Sequence, residues 1–239
     1  GAPTVAELEE MSAYAKSKGV GVFMGFNKNI ARYVRQAREA EAAAGAGAST
    51  KFVSLNAYKR DELEECFERN AEGMLKNMAI HELALAATFY GVTADSIADV
   101  SIAAANSESL TLGGRTDFSK VDFTVTTDAG KKVAIFADRC GGNGCAAVVR
   151  DADGNQVFKS TRPDDEIAAE MAANEAAHPD WMPYFFLQER DSRTLKSLCA
   201  AHVGAREPGG PEGVATIEIA IEALKLAEYL TPELEKQLA

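Results

Sequence analysis

The 239-residue sequence contains no run of about eighteen apolar residues, so no segment is built to cross a membrane as a helix. It also lacks a basic stripe. Lys and Arg number 25 against 36 Asp and Glu, a net charge of −11. Neutralising a phosphate backbone takes clustered cations, so no nucleic-acid partner is expected. The acids are spread out, as in 61-DELEECFE-68 and 164-DDEIAAEMAANEAA-177, and read as a solvated surface. Cysteines are few (Cys66, Cys140, Cys145, Cys199), and none forms a C-x-x-C pair. The three histidines, His81, His178 and His202, are remote from them in sequence. Metal sites need close-spaced ligands, so no metal is expected and the thiols read as reduced. The first residues show no signal-peptide layout, which makes a cytoplasmic location the expectation.

What is present is an ordinary globular composition, 46% apolar and 26% charged. Residues 4–18 carry a helical stripe at Val5, Leu8, Met11, Tyr14 and Ala15. Thr4 and Glu7 have the spacing of a capping box, and Gly19 ends the helix. The apolar run 20-VGVFMGF-26 then reads as a buried strand. A second helix is expected over 29–44, a strand over 51–60 and a long apolar helix over about 73–90, stopped by Gly91. Strands follow at 96–105, 118–127, 131–138, 145–151 and 155–160, joined by hairpin turns such as 128-DAG-130 and 151-DADG-154. The Pro-marked segment 162–184 reads as an excursion, and helices at about 188–203 and 213–230 close the chain. The expected architecture is α+β, with a large, mainly antiparallel open sheet covered by helices on one face.

The helix 72-EGMLKNMAIHELALAATFYG-91 holds one polar pair, Asn77 and His81, four residues apart. On a continuous helix that spacing puts both on one face. An imidazole is the usual proton-transfer group, and an amide can position a substrate oxygen. The same pair also fits a buried histidine and a capping asparagine satisfied by backbone. Asn27 and Lys28 follow the 20–26 strand and precede a helix, where open α/β sheets bind ligands; a helix cap and a solvated lysine are the alternative. Tyr58, Lys59 and Arg60 end the 51–60 strand, as substrate contacts or as exposed charges. Trp181, Tyr184, Phe185 and Phe186 could wall a pocket or pack a core. The glycines of 141-GGNG-144 lie between strands and are assigned no phosphate.

Three segments together resemble one family. The run 20-VGVFMGFNKNIARYVRQAREA-40 resembles the strand–helix crossover of the glucose–fructose oxidoreductase / inositol dehydrogenase / MocA family. The run 72–91 resembles its GG-x-L-x-D-x-(G/A)-x-H-x-x-D helix, and 212-EGVATIEIAIEALKLAEYL-230 resembles its closing helix. The resemblance implies an NAD(P)-dependent oxidoreductase that moves hydride to or from a sugar, cyclitol or related polyol. It implies a C-terminal domain like that of dihydrodipicolinate reductase over residues 26–239, for substrate binding and oligomerisation. Residues 1–25 become the last helix and strand of a Rossmann domain. On this reading NAD or NADP binds the full-length protein and not this fragment, which is expected to be inactive. Homo-oligomers are expected to form through the open sheet face.

His81 matches the family's acid/base histidine, and Asn77 stands where an aspartate is common. Asn27 and Lys28 match the segment near the nicotinamide and substrate, with Lys28 in place of a common arginine. The expected site is therefore His81 and Asn77, with Asn27, Lys28, Tyr58 and Lys59 for substrate. The Asp-to-Asn departure keeps a second reading open, a catalytically silent member that senses ligand.

Overall fold

The computed structural model describes residues 4–179, 183–205 and 210–238. Helix α1 (Val5–Ser17) opens the described chain, with the Thr4–Glu7 capping box formed. A 3-10 turn over Asn27–Ile30 leads into α2 (Arg32–Ala44) and then β1 (Ser49–Leu55). Short helices α3 (Leu63–Arg69) and α4 (Met74–Asn77) precede α5 (Ile80–Tyr90). Strands β2 (Ile97–Ile102), β3 (Glu108–Leu112), β4 (Arg115–Thr127), β5 (Lys132–Asp138), β6 (Gly144–Arg150) and β7 (Gln156–Arg162) follow. Helices α6 (Asp165–Ala177), α7 (Pro183–Ala205) and α8 (Ile217–Leu238) end it.

The strands form one seven-stranded sheet in the order β2-β4-β5-β1-β6-β7, with β3 also on β4. Every pairing is antiparallel except β1 with β5. The expected α+β sheet with helices on one face is therefore present. Alternation explains the layering, because Thr50, Phe52 and Ser54 of β1 are buried while Lys51, Val53 and Leu55 are only partly so. The buried face packs Phe52, Phe123, Ile135 and Val149 against Val34, Leu83, Leu85, Leu226 and Leu230 from α2, α5 and α8. The opposite face carries Val53, Ala134, Phe136 and Val148 with the Lys51–Asp122 ion pair.

Several expectations need correction. Residues 20–26 are not a buried strand; Val20 and Gly21 are exposed, and the segment makes one bridge, Phe23 to Thr216. Its backbone bonds to the 215–217 stretch through Met24 N–H to Ala215 O (2.8 Å) and Ile217 N–H to Val22 O (3.2 Å), too little for a ladder. Strand β1 stops at Leu55, so Tyr58 to Arg60 lie in a loop and a 3-10 turn. The excursion over 162–184 contains α6, capped by Asp164 onto Ile167 N–H. Strand β3 answers to no expected element. Helix α8 runs past 230 through Pro232 to Leu238. Trp181 lies outside the described residues, as do the side chains of Tyr184 and Phe185, and Phe186 is half-buried.

The single helix expected over 73–90 is two helices. Gly73 starts α4 at φ 90° and ψ 164°, a region open essentially to glycine alone. The Met74 carbonyl then accepts N–H groups from both Met78 (2.8 Å) and Ala79 (3.0 Å), which closes α4. A fresh helix begins at Ile80, with Leu83 N–H on Ala79 O (3.0 Å). Both pieces are apolar on nearly all sides, and Met74, Leu75, Met78, Ala79 and Leu83 to Ala86 are all buried. Tertiary packing sets the break, which no proline marks.

Candidate functional site

The break separates Asn77 from His81. Asn77 ends α4 and donates to Glu72 Oε1 (3.2 Å), while His81 sits in the first turn of α5. Among the described residues no hydrogen bond joins the two. The His81 ring meets Phe26 edge to face at 5.5 Å. Its Nδ1 is enclosed and has no hydrogen-bond partner among the described residues.

Beside it lies a buried ion pair. The 3-10 turn at Asn27–Ile30 turns Lys28 inward, and its Nζ donates to Glu82 Oε1 (2.5 Å) and Ser54 Oγ (3.0 Å). Glu82, next in sequence to His81, is fully buried. Two charges out of water are tolerated only when paired, and removal of one partner costs about 3–5 kcal/mol. Burial works to lower the Lys28 pKa, but Cys145 and Glu82 outweigh it and hold the ammonium above its usual value.

Strand register brings the next groups in. Ser54 pairs with Cys145, and Cys145 pairs with Arg162, so the three stand in one row across β1, β6 and β7 on the helix side. Arg162 is buried and its Nη2 is ion-paired with Asp191 Oδ2 from α7. Asn27 Nδ2 donates to the same oxygen at 3.3 Å. Tyr33, in the first turn of α2, is buried with its hydroxyl unpartnered, and Glu82 Oε2 is unpartnered too. Burial, with Cys145 and Glu82 close by, holds the Tyr33 phenol well above its usual pKa. A cavity of about 160 Å³ opens beside Tyr33, Arg162 and Asp191, between α2, β7, α6 and α7.

These charges decide the state of His81. Burial comes first, then the cations Lys28 and Arg162, and together they lower its pKa to about 3. The imidazole is neutral, so it can accept one hydrogen bond and donate another, and it is a weak base where it stands.

Among the residues expected at the site, the structure brings Asn27, Lys28 and His81 together. Tyr58 and Lys59 lie elsewhere. Tyr58 N–H bonds Arg139 O (2.9 Å), and its hydroxyl reaches Cys66 and Asn70. Lys59 is exposed, with its N–H on Glu62 Oε2 (2.7 Å). Their neighbour Arg139 is fully buried and donates to Asp117 Oδ2 (2.6 Å), Cys66 Sγ (3.0 Å) and Phe118 O (3.2 Å). Sequence reading missed Glu82, Ser54, Tyr33, Cys145, Arg162 and Asp191. One signal pointed to Glu82: a lone acid in an apolar helix must find a distant cation. Arg162 and Asp191 carry no such signal, because only strand register and α7 place them.

The fold was compared with solved structures. A scyllo-inositol dehydrogenase from Lactobacillus casei, solved with NAD(H) and scyllo-inositol, matches at TM-score 0.62 and 11% identity, over 98% of this chain and 68% of that one. The fold is shared with known dehydrogenases. A myo-inositol dehydrogenase from Corynebacterium glutamicum matches at TM-score 0.59 and 18% identity, over 96% of this chain and 68% of its own. A probable dehydrogenase from Thermotoga maritima matches at TM-score 0.66 and 17% identity, over 98% and 69%. No family model matches the chain, and no curated protein matches it by sequence. At these identities the likeness is one of fold, and it agrees with the family resemblance of the three sequence segments.

The Lactobacillus casei enzyme was solved with NAD(H), and a dinucleotide's pyrophosphate is held in open α/β folds by a glycine-rich turn from strand to helix. The 141-GGNG-144 turn joins two strands, β5 and β6. The described residues do not supply that cradle. Among them no group of three or more His, Cys, Asp or Glu is placed to hold a metal, and no helix is long and apolar enough to cross a membrane.

Proposed function

We propose that this chain is the substrate-binding part of an NAD(P)-dependent oxidoreductase that acts on a CH–OH group of a sugar, cyclitol or related polyol. The observation that carries the reading is His81, neutral and with an unpartnered Nδ1, at the start of α5 beside Phe26 and the Lys28–Glu82 pair. Neighbours of the same fold were solved with scyllo-inositol and with glycerol. On this reading residues 26–239 hold the substrate, and residues 1–25 are the edge of a nucleotide-binding domain. His81 accepts a hydrogen bond from the substrate hydroxyl, Asn27 supplies an amide, and Lys28 fixes Glu82. NAD or NADP, bound outside these residues, supplies the hydride exchange. Subunits pair through the open sheet face.

The test is reduction of NAD+ or NADP+ by a panel containing myo-inositol, scyllo-inositol, glycerol and glucose. It is run on this chain and on its full gene product. Turnover is expected only from the latter, and turnover by the 239-residue chain alone sinks the reading.

A second reading, a silent ligand sensor, draws support from Asn77 and from the weak basicity of His81. Here His81→Ala leaves every oxidation rate unchanged yet abolishes polyol binding in calorimetry. On the dehydrogenase reading the same variant loses at least tenfold in kcat.

A further inference from the structure

Four charged side chains gather at the site as two pairs, and the pairs are unlike. Lys28 and Glu82 form a closed unit, with Glu82 fully buried on α5 and the Lys28 ammonium also tied to Ser54. The Arg162–Asp191 pair is asymmetric. Arg162 is anchored on β7 in the sheet, whereas Asp191 belongs to α7, which packs mainly on the 27–30 turn and on α6. The Asp191 side chain is 18% exposed, and the cavity of about 160 Å³ reaches both partners. That volume holds about five waters, enough for a small polar group to enter.

The Asp191 carboxylate is gripped as a bound acid is gripped. One oxygen accepts from the Arg162 guanidinium and from the Asn27 amide. Nearby, three buried polar atoms have no partner among the described residues: Tyr33 OH, Glu82 Oε2 and His81 Nδ1. Tyr33 lines the cavity with Arg162 and Asp191, and its phenol suits a ligand's hydroxyl, whereas Glu82 and His81 are set back from that lining. Burial holds the Asp191 pKa above its ordinary value despite the arginine. A cation and an amide on one carboxylate oxygen, with a phenol on the cavity wall, describe a molecule that carries a carboxylate and a hydroxyl.

We propose that Arg162 and Asn27 form a carboxylate subsite beside His81, which Asp191 fills in the ligand-free chain and an acidic sugar takes over on binding. This rests on the reading of the His81 region as the substrate site, and it narrows the substrate class from polyols to polyols bearing an acid. Helix α7 acts as an internal competitor, because its carboxylate must leave the arginine before the ligand's can arrive. Such exchange keeps the buried guanidinium paired at both stages.

The test uses two probes that differ only in the acid, D-glucuronate and D-glucose, titrated into the 239-residue chain by calorimetry. Glucuronate is expected to bind and glucose to bind at least tenfold more weakly. Asp191→Asn removes the competing charge while it keeps the side chain's size, and should tighten glucuronate at least tenfold with glucose unchanged. Arg162→Gln should abolish the preference for the acid. Because Arg162→Gln can unfold the chain, Arg162→Lys is the second variant, expected to keep the charge preference with weaker binding. Equal affinity for the two sugars overturns the proposal, and so does glucuronate binding that is absent or not tightened in Asp191→Asn. The two readings fail separately. Acid binding without hydride transfer in the full gene product removes the dehydrogenase and leaves the subsite. Oxidation of neutral polyols with no acid preference does the reverse.

Discussion

The Lys28 ammonium and a Glu82 carboxylate oxygen lie 2.5 Å apart, with both side chains withdrawn from solvent. The pair joins the turn that follows residues 20–26 to the first turn of α5, and so fixes where His81 stands. Loss of one member strands the other. Glu82→Gln is expected to cost about 3–5 kcal/mol in urea unfolding. The double variant Lys28→Met with Glu82→Leu should recover most of that loss, since an apolar pair needs no counterion. A double variant as unstable as the single one would show that the pair is not the cause.

His81 gives a pH signature. Its folded pKa is about 3, below the unfolded value near 6.5. As pH falls, the unfolded chain takes up the proton first. This group's contribution to stability is therefore complete above about pH 6.5 and declines as pH drops toward 3, by at most about 1.4 kcal/mol per pH unit. His81→Asn should flatten that part of the stability profile. By NMR the His81 ring should show no titration between about pH 5 and 8. A midpoint inside that range contradicts the neutral assignment.

Arg139 is a third buried cation, beside Lys28 and Arg162, and its three donors go to three different acceptors, under the Phe67 ring at 5.5 Å. Arg139→Met leaves the Asp117 carboxylate buried and unpaired, at about 3–5 kcal/mol. For a chain of this size that lowers Tm by roughly 6–20 °C. Arg139→Lys should rescue little, because an ammonium on a flexible stem does not reproduce the planar fork. Full rescue by lysine would mean that charge alone matters.

Gly73 offers a backbone test. At φ 90° and ψ 164° a side chain is strained, and the Met74 N–H that follows is held by Asp117 Oδ1 at 2.9 Å. Gly73→Ala is expected to destabilise by about 1–3 kcal/mol in thermal unfolding. A neutral result would show that the turn relaxes.

The sheet was largely legible because its strands alternate and its turns are signed. The 128-DAG-130 and 151-DADG-154 turns fall between β4 and β5 and between β6 and β7. What misled was apolar character without periodicity. Residues 20–26 are apolar enough for a buried strand, yet a strand needs neighbours to bond, and the described residues offer one bridge. Residues 73–90 are apolar enough for one helix, yet the Met74 carbonyl takes two donors and ends it. Asn27 and Lys28 stand out in the sequence between an apolar run and a helix, and His81 by its spacing from Asn77 and by the family resemblance. Arg162 and Asp191 do not, because nothing local in a strand end or a helix face tells which distant partner it meets.

Strand β1 sits at the centre of the sheet, and each of its neighbours is remote in the chain. Thr50 pairs with Val133 on one side and Ser49 with Arg150 on the other. Long-range pairings of this kind form slowly, because the loop must close before any contact rewards it. During synthesis the 49–55 segment therefore waits, both edges open, until β5 and β6 have emerged. The row that will seat Lys28 and Arg162 cannot assemble earlier, so the candidate site is among the last parts of this chain to come into being.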